Sequence, residues 1–161
     1  MEKNEQQKKT HLFRDFLDGK INRRTFLITV SAFAGGYGLS KLLPELLQMI
    51  GDTGPLTSDQ GQILQAVQRH LFPATENAPG ADDIHALHYL KLVLIDPALD
   101  PRDQEFIVNG VAWLEEECQK TLSSTFTELE SGPKEDMLRQ IEKESWGERW
   151  LSHLLKYTFE A

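Results

Sequence analysis

No stretch of this chain alternates apolar and polar residues for long enough to make a strand. Apolar residues instead return every three or four positions between breaks marked by proline and glycine. That pattern leaves helices as the only way to gather a core. Thr57-Ser58-Asp59-Gln60 has capping-box spacing, in which the Thr57 hydroxyl reaches the Gln60 N–H and the Gln60 side chain reaches back. Ile63, Leu64, Val67 and Leu71 then share one face, and Pro73 stops the helix. After the Ala78-Pro79-Gly80 loop, Asp82 or Asp83 is expected to cap a second helix. It would carry Ile84, Leu87, Leu90 (or Lys91) and Leu94, and close at Asp96-Pro97. Asp100-Pro101 opens a third in N-cap, N1 order, with Phe106, Ile107, Trp113, Leu114 and Cys118 mostly inward. Met137, Leu138 and Ile141 follow the restart at Ser131-Gly132-Pro133, and Trp146, Trp150, Leu151, Leu154 and Leu155 mark the last helix. The expected fold class is all-α: a compact bundle of five or six helices preceded by an N-terminal signal or anchor helix.

Composition sets the outer bounds. At 161 residues, 40% of them hydrophobic, the chain has room for one domain, or one domain with an appendage. A net charge of −8 and a pI near 5.1 argue against a nucleic-acid partner, which needs a basic surface facing phosphates. With Cys118 alone, the chain has neither a disulfide framework nor a thiolate zinc site nor a CxxCH haem attachment. The charge is unevenly spread. Residues 1–41 carry eight basic against four acidic side chains, whereas residues 42–161 are strongly acidic, with 9 basic and 21 acidic groups. Gly51-Asp52-Thr53-Gly54-Pro55 is rich in turn formers, so the expected division is 1–50 for a signal, anchor and linker and 51–161 for a helical domain.

The basic first part does not read as a globular element. From Thr25 to Ser40 no residue is charged, and those 16 residues would span only ~24 Å as a helix, short of the ~30 Å of a bilayer core. Gly35, Gly36 and Gly38 lower both helicity and hydrophobicity. Two arginines stand immediately before this run. Asn22-Arg23-Arg24-Thr25-Phe26-Leu27 resembles the twin-arginine (Tat) export pattern, with Asn22 where Ser or Thr is usual and Ile28 where Lys is often seen. A receptor can clamp paired guanidiniums through planar, multidentate hydrogen bonds that lysine cannot reproduce. Arg23, Arg24, Phe26 and Leu27 are therefore the expected signal residues. The segment is expected either to stay as an anchor or to be cut near Ala34 or Ser40.

Tat cargo crosses the membrane folded, as a protein holding a tightly inserted cofactor must. This chain has no cofactor motif such as a GxGxxG after a strand, so the expectation is that the cofactor-bearing cargo is another chain. The order of Leu56-Thr57, Leu71-Phe72-Pro73, Pro79-Gly80-Ala81, Asp96-Pro97 and Phe126-Thr127-Glu128-Leu129 is similar to that of the gluconate 2-dehydrogenase subunit 3 family, over most of residues 20–159. The resemblance implies a non-catalytic small subunit of a membrane-associated sugar or alcohol dehydrogenase. Its catalytic partner would be a FAD-dependent flavoprotein without its own export signal, and a multihaem cytochrome c often forms a third subunit. The small subunit would escort the flavoprotein through the Tat translocase to the periplasmic face of the inner membrane. Many relatives continue with Asp-Pro and then Tyr-Gly-Gly-Asn where this sequence has Thr158-Phe159-Glu160-Ala161, so the partner contact made there is expected to be absent or replaced.

Few residues carry chemistry of their own. His85 and His88 lie on one face with Asp82 a turn earlier, but without a third strong ligand they read as a wet face and a cap. Glu115-Glu116-Glu117 reads as a solvated run, and Cys118 as a small buried hydrophobe. No residue is assigned a catalytic, cofactor-binding or metal-binding role. Trp113, Trp146, Trp150, Tyr157 and Phe159, with Phe72 and Pro73, are candidates for a partner interface, core packing being the competing account. An accessory subunit ranks above an independent exported binding module, and that above an enzyme using His85/His88 or the acidic residues.

Overall fold

A computed structural model of the chain describes residues 11–33 and 54–161. It is all-α, and the only β-type pairing among the described residues is an isolated bridge between Thr75 and Ala78. Two compact units emerge. One joins the N-terminal region to Lys91–Asp100; the other comprises Pro55–Leu90 and Pro101–Ala161.

In the first unit, α1 is helical over residues 11–17 and α2 spans Arg23–Phe33. Between them, Gly19 takes a left-handed φ of +70°, which a side chain would resist, and its N–H donates to the Phe16 carbonyl (2.9 Å). Asn22 caps α2 by accepting from the Thr25 N–H (2.8 Å). Phe13, Phe16, Phe26 and Leu92 form a buried core bordered by Leu12, Leu17, Ile21, Leu27, Val30 and Ile95. The expectation that this part lacks globular construction fails here. Phe13, Phe16 and Leu17 recur at helical spacing ahead of the arginines, and their apolar area drives the hairpin together. The rest of the uncharged run, both cleavage candidates and Leu42–Ile50 lie outside the described residues. Among the described residues no helix is long and apolar enough to cross a membrane.

The second unit begins with α3, Ser58–Leu71, whose capping box forms as the sequence implies. The Gln60 N–H donates to the Thr57 hydroxyl (3.2 Å), and the Thr57 N–H donates to Gln60 Oε1 (2.9 Å). Next, α4 spans Ala86–Leu94, its last residues from Lys91 belonging to the first unit, and starts later than an Asp82 or Asp83 cap predicts. His85 holds a positive φ of 56° that interrupts the helix, and both aspartates are engaged elsewhere. Asp83 accepts from the Gly80 N–H (2.8 Å), and Asp82 pairs with Arg69 and Gln65. The long α5 spans Pro101–Leu122 and is followed by a 3₁₀ turn at Phe126–Glu128; α6 spans Ser131–Ile141 and α7 Gly147–Glu160.

Within this unit α3 packs on α5, α6, α7 and the 3₁₀ turn, and α5 packs on α6 and α7. Leu64, Ile107, Leu114, Phe126, Met137, Ile141, Trp150 and Leu154 are fully or almost fully buried there. Two glycines allow the closest approaches. A Cβ on Gly110 would run into the indole of Trp150, and one on Gly147 would meet the Ile141 carbonyl.

Candidate functional site

The twin-arginine residues have unequal surroundings. Arg23 opens α2, and its Nε lies 2.7 Å from Asp96 Oδ2, with the Asp96 side chain 7% exposed. Asp96 also accepts from the Ala98 N–H through Oδ1 (2.8 Å), which fixes the turn at Asp96-Pro97. Phe26 is wholly buried, stacked on Phe16 (5.0 Å between centroids) and tilted to Phe13 (6.1 Å). Leu27 borders the same cluster. Arg24 is exposed. Sequence reasoning used Asp96 only as a helix terminator, because nothing in the linear spacing joins position 23 to position 96.

The second unit carries a continuous aromatic array across α5 and α7. Trp146 meets Trp113 at 5.2 Å, Trp113 meets Phe106 at 5.7 Å, Phe106 meets His153 at 5.9 Å, and His153 lies over Tyr157 at 6.2 Å. Trp150 sits behind it, fully buried, donating its indole N–H to the Ile107 carbonyl (2.9 Å). Trp150 and Tyr157 thus belong to the core, because the i, i+4 and i+7 positions of α7 face inward. Trp113 and Trp146 are half-buried, and an open pocket of about 290 Å³ lies against them with Glu116 and Glu117. At another corner Phe72 meets Phe159 edge to face (5.4 Å, 81°); Phe159 is 71% exposed and Pro73 is exposed.

Burial, then the nearby Glu115 and Glu117 carboxylates, push the Cys118 thiol up to about 12, so it is not a thiolate nucleophile at neutral pH. Burial pushes His153 below its ordinary value against the pull of Asp103, helped by the Arg149 and Lys156 charges. Glu135 is held below the usual carboxylate range by its hydrogen bond to His70 (2.8 Å), with Arg139 adding to it. An open groove of about 530 Å³ carries Arg69, His70 and Lys134, but Asp82 and Glu135 already answer the first two. His85 and His88 lie 6.0 Å apart between ring centroids, and among the described residues no group of three or more ligands could hold a metal.

The described surface of this unit thus offers aromatic faces with acidic margins. The profile of gluconate 2-dehydrogenase subunit 3 matches residues 58–161. The chain belongs to that family. The match begins where α3 begins and runs through the whole aromatic array, so the family rests on the helical unit and not on the arginine pair. No curated protein and no solved structure matches the chain. The family is that of a dehydrogenase-complex subunit, and its name implies association with other subunits.

Proposed function

We propose that this chain is the non-catalytic small subunit of a periplasmic, membrane-associated FAD-dependent sugar or alcohol dehydrogenase. In this reading it escorts the flavoprotein through the Tat pathway and stabilises the complex. The observation that carries it is the pairing of two features in one chain: the family match over residues 58–161 and, outside that match, Arg23-Arg24-Thr25-Phe26-Leu27 ahead of an uncharged run. FAD, and haem c where a third subunit is present, would reside in the partners. The test is the double variant Arg23→Lys with Arg24→Lys. Lysine at position 23 keeps a cation beside Asp96, so the hairpin is expected to survive while the guanidinium geometry is lost. The flavoprotein should then remain in the cytoplasm, and its normal export would refute escort.

A second reading has its own observation. Arg23 and Phe26 are structural members of a packed unit, as expected if the hairpin is simply part of the fold. Arg24→Lys alone separates the two, because Arg24 is exposed. Blocked export with an intact fold favours the signal; no effect on export favours the structural account.

A further inference from the structure

Charged side chains already cover two rings of the aromatic array. The Arg149 guanidinium sits over Phe106, 4.6 Å from the ring centroid, and Lys156 Nζ lies 5.0 Å from that of Tyr157. The Trp113–Trp146 pair differs: among the described residues no cation lies over either indole. Its pocket presents carboxylates instead. Glu116 and Glu117 stand three and four residues after Trp113 on α5, which puts them beside its ring. Lys120 (3.2 Å) neutralises Glu117, and the Gln140 amide lies near it. Glu116 is exposed, and no hydrogen bond or ion pair among the described residues engages it.

Two electron-rich faces and an unanswered carboxylate, at the rim of a pocket of about 290 Å³, complement a planar cation. We propose that this pocket receives an arginine side chain from the partner subunit, its guanidinium stacked on one indole of the Trp113–Trp146 pair, whose planes are 62° apart, and hydrogen-bonded to Glu116. The occupant's identity rests on the accessory-subunit reading. Arginine is chosen over lysine because only a flat, forked cation can cover an indole face and grip a carboxylate together. A strongly acidic helical unit also favours a basic partner surface.

The full chain, with indole nitrogens labelled, is titrated with N-acetyl-arginine amide and with its neutral isostere N-acetyl-citrulline amide. Saturable shifts are expected at the Trp113 and Trp146 indole signals, with citrulline binding roughly tenfold more weakly. Trp150 is the internal reference, since its indole N–H is buried on the Ile107 carbonyl. Glu116→Gln, at an exposed position, should weaken arginine binding by about fivefold without moving the fold. Equal shifts from both amides overturn the pocket, as does an arginine titration unchanged by Glu116→Gln. Either result leaves the escort reading standing if the double-lysine variant still strands the flavoprotein. Arginine binding together with normal export of the flavoprotein in that variant would sink escort and leave the pocket.

Discussion

The two units hold themselves together by different means. Among its described residues the N-terminal unit closes on three phenylalanines, one leucine and the partly shielded Arg23–Asp96 ion pair. The larger unit interlocks helices distant in sequence, with Trp150 seated against Gly110 and the Phe126 N–H donating to Glu115 Oε1 (2.8 Å). A small core with few polar ties can open locally at modest cost, whereas an interlocked core opens only as a whole. If an export receptor reads this segment, as proposed, the first kind of structure is the one that can release it. Substitutions in each unit should therefore have separable effects.

The largest expected effect is Trp150→Ala. It removes a fully buried indole and its hydrogen bond, and should cost about 3–5 kcal/mol in chemical denaturation. Hydrogen exchange should rise throughout α3, α5 and α7, with α2 less affected. Uniform loosening of α2 as well would mean that the two units unfold as one. Next comes Asp96→Ala, which removes the carboxylate that meets Arg23 Nε, on a side chain 29% exposed, together with the cap on Ala98. Breaking a fully buried pair costs more, so partial exposure lowers the expectation to about 1–3 kcal/mol. Exchange should speed up in Arg23–Phe33 and stay slow in α5. Unchanged exchange at α2 would show that the Phe cluster alone holds the hairpin.

Acid should act on the larger unit. Burial lowers the folded-state value of His153 below 6.5, so the unfolded chain takes up the proton first. The stabilisation from neutral His153 is present above about pH 6.5 and is lost as pH falls through its lower folded value. Glu135, also depressed, adds a loss at more acidic pH, below the ordinary glutamate range. His153→Phe should keep the ring contacts with Phe106 and Tyr157 and flatten the first part of the melting-temperature profile below pH 6.5. An unchanged profile would place the acid sensitivity in other groups.

Most of the helical unit was legible because its signals are local. The Thr57–Gln60 box, Pro101 at a helix start, the restart at Ser131-Gly132-Pro133 and the apolar spacing of α7 each depend on neighbours a turn or two away. The start of α4 was missed because His85 adopts a conformation that residue type does not announce, and because Asp82 serves Arg69 rather than its own helix. The N-terminal hairpin was missed for a related reason. An arginine pair before an apolar run draws attention to the run, while Phe13 and Phe16, the residues that pack on Phe26, stand earlier. Trp113 and Trp146 could be named as aromatic, but their meeting beside Glu116 requires α5 and α7 to cross, which no spacing encodes.

The smallest expected effect on the fold is also the most direct test of the outer surface. Phe159 lies near the end of α7, 71% exposed, and among the described residues its aromatic contact is edge to face with Phe72. Phe159→Ser should therefore change stability by no more than about 0.5 kcal/mol, as for most surface substitutions away from caps and cavities. An exposed aromatic that serves a partner behaves differently in a complex, where truncation typically costs more than about 1 kcal/mol of binding. Under the proposed function, the melting temperature of the chain should stay put while recovery of a flavoprotein on the chain falls several-fold. If stability falls instead and recovery holds, the Phe72–Phe159 pair is a lid over the core, and the partner meets the chain elsewhere.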